Sequence, residues 1–221
     1  MTLVTDTIDV ALFPIPNAVT FPGTVFPLHV FEPRYRRLVR ECVEEDRMVG
    51  ISHVRKTIHQ PKHDGSLEQA LSANQATYLP QPTFSAGHCE ILETTTDGRI
   101  LAQIHVTDRL AMVEERQSLP YRIVSCEPVL DEDGPPAAEL SDFQHAIHDR
   151  LVELVGREHP EMADSLQTTS WAALPPSDYS FSIFQVLQLS PDIMQLVLES
   201  RRAEDRLALI WSQIAPSRQP H

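Results

Sequence analysis

The chain reads as an α+β protein in which strands come first and helices follow, and three features predict this. Leu12 to Phe31 (LFPIPNAVTFPGTVFPLHVF) holds four prolines, one glycine and many β-branched or aromatic residues. That spacing forbids a helix interior and a regular central strand, and leaves short strands joined by tight turns. Asp131–Pro136 (DEDGPP) combines charge, glycine and a proline pair, and the pattern changes after it. Beyond it, apolar residues recur every three or four positions, the mark of amphipathic helices. Such segregation argues for α+β or two subdomains rather than an alternating βαβ sheet. The expected division is a β-rich part over 1–130, a helical part over 137–215 and a frayed tail over 216–221.

Taken in order, Pro22-Gly23 is the clearest turn of the first segment. A helix then starts at Glu32-Pro33, because proline is tolerated in a first turn and Tyr35, Leu38, Val39, Cys42 and Val43 follow helical spacing. Residues 56–84 are polar and rich in Gln, His, Pro and Ser, and read as a long loop with a short helix near Ser66–Leu71. Cys89–Leu92 reads as a strand, and Asp97-Gly98 fits a hairpin turn. Ile100, Ala102, Ile104 and Val106 then share one face of the next strand. Tyr121–Cys126 is a further strand ending before Pro128.

Past the boundary, Leu140, Phe143, Ile147, Leu151 and Leu154 make an amphipathic helix that Gly156 stops. A second helix covers Glu161–Leu166, and Pro175-Pro176 breaks the chain. Ser177 or Asp178 then caps a helix carrying Phe181, Phe184, Val186 and Leu187. Ser190-Pro191 restarts the chain as N-cap and N1, ahead of Ile193, Met194, Val197 and Leu198. The last helix carries Ala203, Leu207, Ile210, Trp211 and Ile214.

Composition narrows the function. The 221 residues are 42 % hydrophobic and 22 % charged, a globular balance. With 18 Lys+Arg against 31 Asp+Glu the formal charge is −13, the wrong sign for sequence-independent binding of nucleic-acid backbones. Only Lys56 and Lys62 are lysines. No run approaches the roughly 18 apolar residues of a spanning helix, and the opening MTLVTDTIDV has acids where an export signal has bases. Cys42, Cys89 and Cys126 form no CxxC and are odd in number, which fits small core residues in a reducing cytoplasm.

Chemistry is sparse. No glycine precedes lysine, so there is no Walker A loop, and GxGxxG, HExxH and GxSxG are absent. His53, His59 and His63, with Asp64 adjacent, have the donor types for zinc, but a solvated polar loop is the favoured account, because a long loop rarely holds a rigid metal site without supporting residues. His145, His148 and Asp149 share one helix face away from the apolar stripe and read as solvent-exposed. Glu114-Glu115 and Glu44-Glu45-Asp46 sit in turn-like or helix-end contexts, not in the contrasting environments that acid–base work needs. Arg34, Arg36, Arg37 and Arg40 crowd one helix; pairing with Glu32, Glu41, Glu44 and Glu45 explains them, the alternative being a surface that reads acidic groups of a partner.

One long pattern resembles a known family. Leu12-Phe13-Pro14-Ile15, Val19-Thr20-Phe21-Pro22-Gly23, Phe26-Pro27-Leu28-His29-Val30 and the Arg34/Tyr35 helix start recur in order in the N-terminal, substrate-binding domain of Lon-type ATP-dependent proteases. So do Ala86-Gly87-His88-Cys89-Glu90-Ile91, Asp97-Gly98-Arg99-Ile100 with Arg109, Leu119-Pro120-Tyr121, Glu127-Pro128-Val129, and Leu189-Ser190-Pro191-Asp192 with Leu207 and Ile210. The resemblance covers roughly residues 10–215. Val106, where the family has a glycine, and the long 56–84 loop depart from it.

The resemblance implies a PUA-like twisted β pseudo-barrel followed by a C-terminal α-helical bundle. It implies substrate recognition by protein binding, related to proteolysis, with no catalytic residue, cofactor or metal. The ATPase and protease domains of Lon are not in this sequence, so the expectation is a stand-alone binding protein. Pro61–Ser66 superficially matches the stretch around the Lon catalytic serine, but lies in a polar loop of the wrong domain. The expected partners are exposed polypeptide segments or a docking protein, with no nucleic acid and no membrane, the oligomeric state being left open. A free strand edge or an apolar groove would serve. The rim singled out is Phe31, Glu32, Arg34 and Tyr35. The alternatives are RNA binding, as PUA-like barrels allow, and a metal-dependent enzyme built on His53, His59 and His63.

Overall fold

In the computed structural model, residues 7–59, 77–157, 159–168 and 170–216 are described. The chain divides into two compact units, Met1–Val129 and Leu130–His221.

The first unit contains strands β1 (Ile8–Pro14) and β2 (Val25–Val30), helix α1 (Pro33–Glu44), then β3 (Val49–Ser52), β4 (Val54–His59), β5 (Thr77–Pro80), β6 (Thr83–Thr94), β7 (Ile100–Gln117) and β8 (Arg122–Pro128). The larger sheet has the order β2-β7-β6-β3-β1-β8, and β8 also pairs with β7, so the twisted sheet closes on itself. β4 and β5 form a separate two-stranded ribbon. Strand β1 runs parallel to β3 and antiparallel to β8. Its central position buries both faces: Ala11 joins one apolar cluster, Val10 and Leu12 the other.

The first cluster lies under α1. Tyr35, Leu38, Val39 and Cys42 meet Leu28 and Val30 of β2 and Ile100, Ala102, Ile104 and Val106 of β7. The helix begins on Pro33 with Glu32 extended. It ends where Asp46 takes a left-handed φ of 52° and the Arg47 N–H returns to the Cys42 carbonyl at 2.9 Å, the motif that closes helix C-termini. Val43, given to the apolar stripe by its spacing, stays 42 % exposed.

The second cluster gathers Val10, Leu12, Phe84, Ala86, Leu110, Val124 and Cys126. Strands β6 and β7 serve both clusters because their pairing is interrupted. Ala86 opposes Asp108, whereas Gly87 opposes Val106. This bulge bends the pair and redirects side chains past it. Proline at position 27 fits because β2 is a terminal strand of the sheet, where a missing N–H costs no ladder bond. At the turn before β2, Gly23 adopts φ +83°, a conformation that a side chain would strain.

Several expected boundaries move. The strand begun at Ile100 runs to Gln117, and that around Cys89–Leu92 runs from Thr83 to Thr94. Strand pairing, not local alternation, sets these lengths. The expected 56–84 loop is partly strand, since β4, β5 and the start of β6 fall inside it; the helix expected near Ser66–Leu71 lies outside the described residues. Glu114-Glu115 belongs to β7 rather than a turn, paired with Arg116 at 2.9 Å and Arg122 at 3.5 Å.

The second unit is helical: α2 (Ala137–Gly156), α3 (Pro160–Thr168), α4 (Pro176–Ser182), α5 (Pro191–Glu199) and α6 (Ala203–Ile214), with single 3-10 turns at Ser170–Ala173 and Ile183–Gln185. Ile147, Leu151, Tyr179, Ile183, Val197, Leu198, Leu207 and Ile210 are buried. Ser190 accepts the Ile193 N–H as N-cap. The helix expected to be capped by Ser177 or Asp178 begins at Pro176 instead, preceded by extended Pro175, and gives way to a 3-10 turn at Ile183. His148, expected to be exposed, is buried against Tyr179 with ring centres 6.1 Å apart. Helix α2 packs on α3, α4 and α6, so a wider face is covered than its apolar stripe indicates.

The polar centre of this unit is Arg206, with no exposed surface at all. Its guanidinium donates to both Asp131 oxygens at 2.8 and 2.7 Å, to Ser180 Oγ at 2.8 Å and to the Ser200 carbonyl at 3.2 Å. The same group lies over the Phe181 ring, 4.3 Å from its centre. Two parallel bonds to one carboxylate are the strongest geometry available to an arginine. Among the described residues, no helix is long and apolar enough to cross a membrane.

Candidate functional site

The rim residues picked from the sequence converge at the start of α1. Tyr35 faces inward and is buried, its ring stacked on Phe13 of β1 at 4.0 Å and 12°. The Arg34 guanidinium covers the Tyr35 ring at 4.6 Å and reaches Glu32 at 2.9 Å, with both side chains largely withdrawn from solvent. Burial pushes the Tyr35 phenol up to about 12, against the pull of Arg34. It is therefore a neutral hydroxyl at ordinary pH.

Two cavities flank this tyrosine. One, of about 290 Å³, is lined by Leu12, Arg34, Leu119, Tyr121 and Arg122 among others. The second, of about 320 Å³, is lined chiefly by Phe13, Ile15, Leu28, Val30 and Phe31, with Glu32 at its edge. Pro14, Tyr35 and Tyr78 line both and form the wall between them. All four singled-out residues therefore border the same two-compartment cleft: Phe31 and Glu32 on one side, Arg34 on the other, Tyr35 between.

The cleft is braced from below. The Tyr121 hydroxyl donates to Glu41 of α1, and Arg37 binds the same carboxylate at 2.6 Å. These two bonds, the tyrosine's first, hold the Glu41 carboxyl below its usual range. They tie α1 to the segment leading into β8. The expected pairings of Arg34 with Glu32 and Arg37 with Glu41 are present. Arg36 instead donates to the Gly98 carbonyl at 3.2 Å, and Arg40 is exposed.

Of the histidines, His29 lines the second cavity, whereas His53 lines neither. His53 is buried and accepts the Asn17 N–H through Nδ1 at 3.1 Å. His59 ends β4. His63 and Asp64 lie outside the described residues. Among the described residues no group of three or more His, Cys, Asp or Glu side chains is arranged as a metal site. The three thiols are free, with Cys42 and Cys126 in the core.

Sequence reasoning missed Tyr78 and Arg122. Both come from strands far from α1 along the chain, and nothing in their local pattern distinguishes them from ordinary strand residues. Leu119, 79 % exposed, lines the first cavity beside Pro120.

Comparison with known proteins points one way. The sequence pattern of the ATP-dependent protease La (LON) substrate-binding domain matches residues 9–215. A Lon protease of Syntrophus aciditrophicus is 26 % identical over 206 residues, which are 89 % of this chain and 23 % of that protein. Lon protease 1 of Herpetosiphon aurantiacus is 24 % identical over 116 residues, 51 % of this chain and 12 % of that protein. The chain thus spans less than a quarter of the length of these curated relatives. Two solved structures share the fold. The N-terminal domain of a Mycobacterium avium complex Lon protease has a TM-score of 0.64 at 14 % identity, covering 95 % of this chain and 99 % of that one. A Lon N-terminal domain protein from Xanthomonas campestris has a TM-score of 0.57 at 20 % identity, covering 93 % and 98 %.

Proposed function

The chain belongs to the Lon substrate-binding domain family, and from that membership we propose that it recognises polypeptides, holding exposed segments of a protein substrate or docking a protein partner, with no covalent step of its own. The observation that carries the reading is the family match over residues 9–215; the Tyr35 cleft is the binding place this reading assigns. The cleft suits the task chemically. It offers aromatic and proline surface from Phe13, Pro14, Phe31 and Tyr78, which gains from covering apolar side chains. Polar groups at its edges, Glu32 and Arg34, orient what enters. The closed sheet supports a PUA-like description of the first unit. Free thiols support action in a reducing cytoplasm.

The test is direct binding of a fluorescently labelled, permanently unfolded model protein, read by anisotropy. The wild type is expected to bind it and to ignore the same protein when folded. Phe31→Ala is expected to weaken binding about tenfold, the loss typical of a central aromatic contact, with an unchanged circular dichroism spectrum. Equal binding of folded and unfolded forms, or no binding at all, would refute the reading. Full affinity in Phe31→Ala would remove the cleft from it.

A further inference from the structure

We propose that the cleft selects an acidic–apolar segment of polypeptide: an aromatic or aliphatic side chain fills the Phe13–Phe31 compartment, and a carboxylate side chain two residues away enters the Arg34–Arg122 compartment. This rests on the polypeptide-binding reading and gives it a ligand chemistry.

The two compartments differ sharply. That on the Arg122 side is lined by two arginines, the phenols of Tyr35, Tyr78 and Tyr121, and no acidic residue. That on the Phe31 side is lined by five large apolar side chains and carries a single acid at its edge. Two arginines lining one compartment stand out in a protein of net charge −13 with only two lysines; Arg34 also holds Glu32 at 2.9 Å. Guanidinium groups favour carboxylates through paired N–H donors and keep their charge at every working pH. Arg122 meets Glu115 through Nε at 3.5 Å, a long contact. Arg34 and Arg122 both act on the Tyr35 phenol, lowering its pKa against the effect of burial, which places their fields at the wall between the compartments.

Size sets the form of the ligand. At about 290 and 320 Å³, each compartment sits at the small end of ligand cavities and suits one side chain, not a folded element. Pro14, Tyr35 and Tyr78 separate them. A chain crossing this wall in extended form presents residues i and i+2 to the same side, one for each compartment.

The experiment uses the full chain and an N-terminally labelled twelve-residue peptide, amidated at its C-terminus, with one Phe and one Glu two positions later in a Ser/Gly background. Changing that Glu to Gln is expected to weaken binding five- to tenfold for the wild type and to have no effect for Arg122→Gln. Glu115→Gln breaks the same surface ion pair without touching the cleft, and is expected to keep the Glu/Gln discrimination. Equal binding of Glu and Gln peptides by the wild type overturns the proposal while leaving polypeptide recognition standing. A peptide whose only carboxylate is its free C-terminus, binding as tightly as the Glu peptide, overturns it in favour of chain-end recognition. Binding of unfolded protein with no peptide affinity overturns it as well. Loss of both removes the underlying reading too.

Discussion

Replacing Gly87 with alanine is the most demanding test of the first unit. At this position an added Cβ would stand 2.6 Å from the His105 carbonyl carbon and 2.8 Å from Val106 Cα, and closer still to the His105 oxygen. Ordinary contact begins near 3.4 Å, so β6 and β7 would have to part by about 0.8 Å at the carbonyl carbon and by more at the oxygen. The obstacle is main chain on both sides, and no rotamer change relieves it. Overpacking of a core site costs about 1–3 kcal/mol. Parting the strands also weakens the neighbouring ladder bonds, each worth about 1 kcal/mol net. The sum, about 4 kcal/mol, is a large fraction of the roughly 5–15 kcal/mol that stabilises an ordinary domain. In a chain of this length it corresponds to a drop in Tm of about 8–16 °C. The assay is thermal melting by circular dichroism in the β region. Both tryptophans, Trp171 and Trp211, lie in the second unit, so their fluorescence follows that unit separately. Gly50→Ala is the comparison: its Cβ would meet the Phe84 ring and Val10 Cγ1, side chains that can shift, so a loss of about 1–3 kcal/mol is expected. If Gly87→Ala melts within about 1 kcal/mol of the wild type, the strands do not approach as described.

Two further outcomes follow from buried polar groups. Arg206→Met leaves Asp131 without its guanidinium and Ser180 without its donor; a loss of about 3–5 kcal/mol should appear in the tryptophan-monitored urea transition. An unchanged midpoint would mean that the arginine does not organise the helices. At alkaline pH, burial raises the thiols of Cys42, Cys89 and Cys126 to about 12, 11 and 12 from an ordinary 9. Groups with raised folded pKa values stabilise the fold below their unfolded pKa. That contribution drains away as pH climbs through the folded value. Stability is therefore expected to fall between about pH 9 and pH 12, and the fall to be shallower in Cys42→Ala; identical slopes from urea titrations across this range would contradict the burial described.

What could be read in the sequence followed local rules. The spacing of Tyr35, Leu38, Val39 and Cys42 reports a helix face directly, because one turn of helix is enough to align it. Ile100 to Val106 alternates cleanly and is a strand for the same reason. The alternation then breaks at Thr107–Arg109, where the bulge inserts an unmatched residue, so the rest of β7 was invisible. Strands β4 and β5 were lost because polar residues such as Arg55 and Lys56 on a two-stranded ribbon look like loop. Arg206 gave no signal, since a charged residue in an amphipathic helix ordinarily marks a solvated face and its partner Asp131 is 75 positions away. The cleft was half legible. Phe31, Glu32, Arg34 and Tyr35 adjoin in sequence, whereas Tyr78 and Arg122 meet them only through pairing of distant strands.

Strand β7 bears on how the first unit comes apart. Its early half is flanked by β2 and β6, and its late half by β6 and β8. One uninterrupted segment is thus common property of both ends of the sheet. Peeling either end exposes apolar side chains that the other end needs covered, so fraying at one extremity is penalised at the opposite one. Loosening of this sheet is therefore a matter of the whole closed ring β7-β6-β3-β1-β8 rather than of one strand in it.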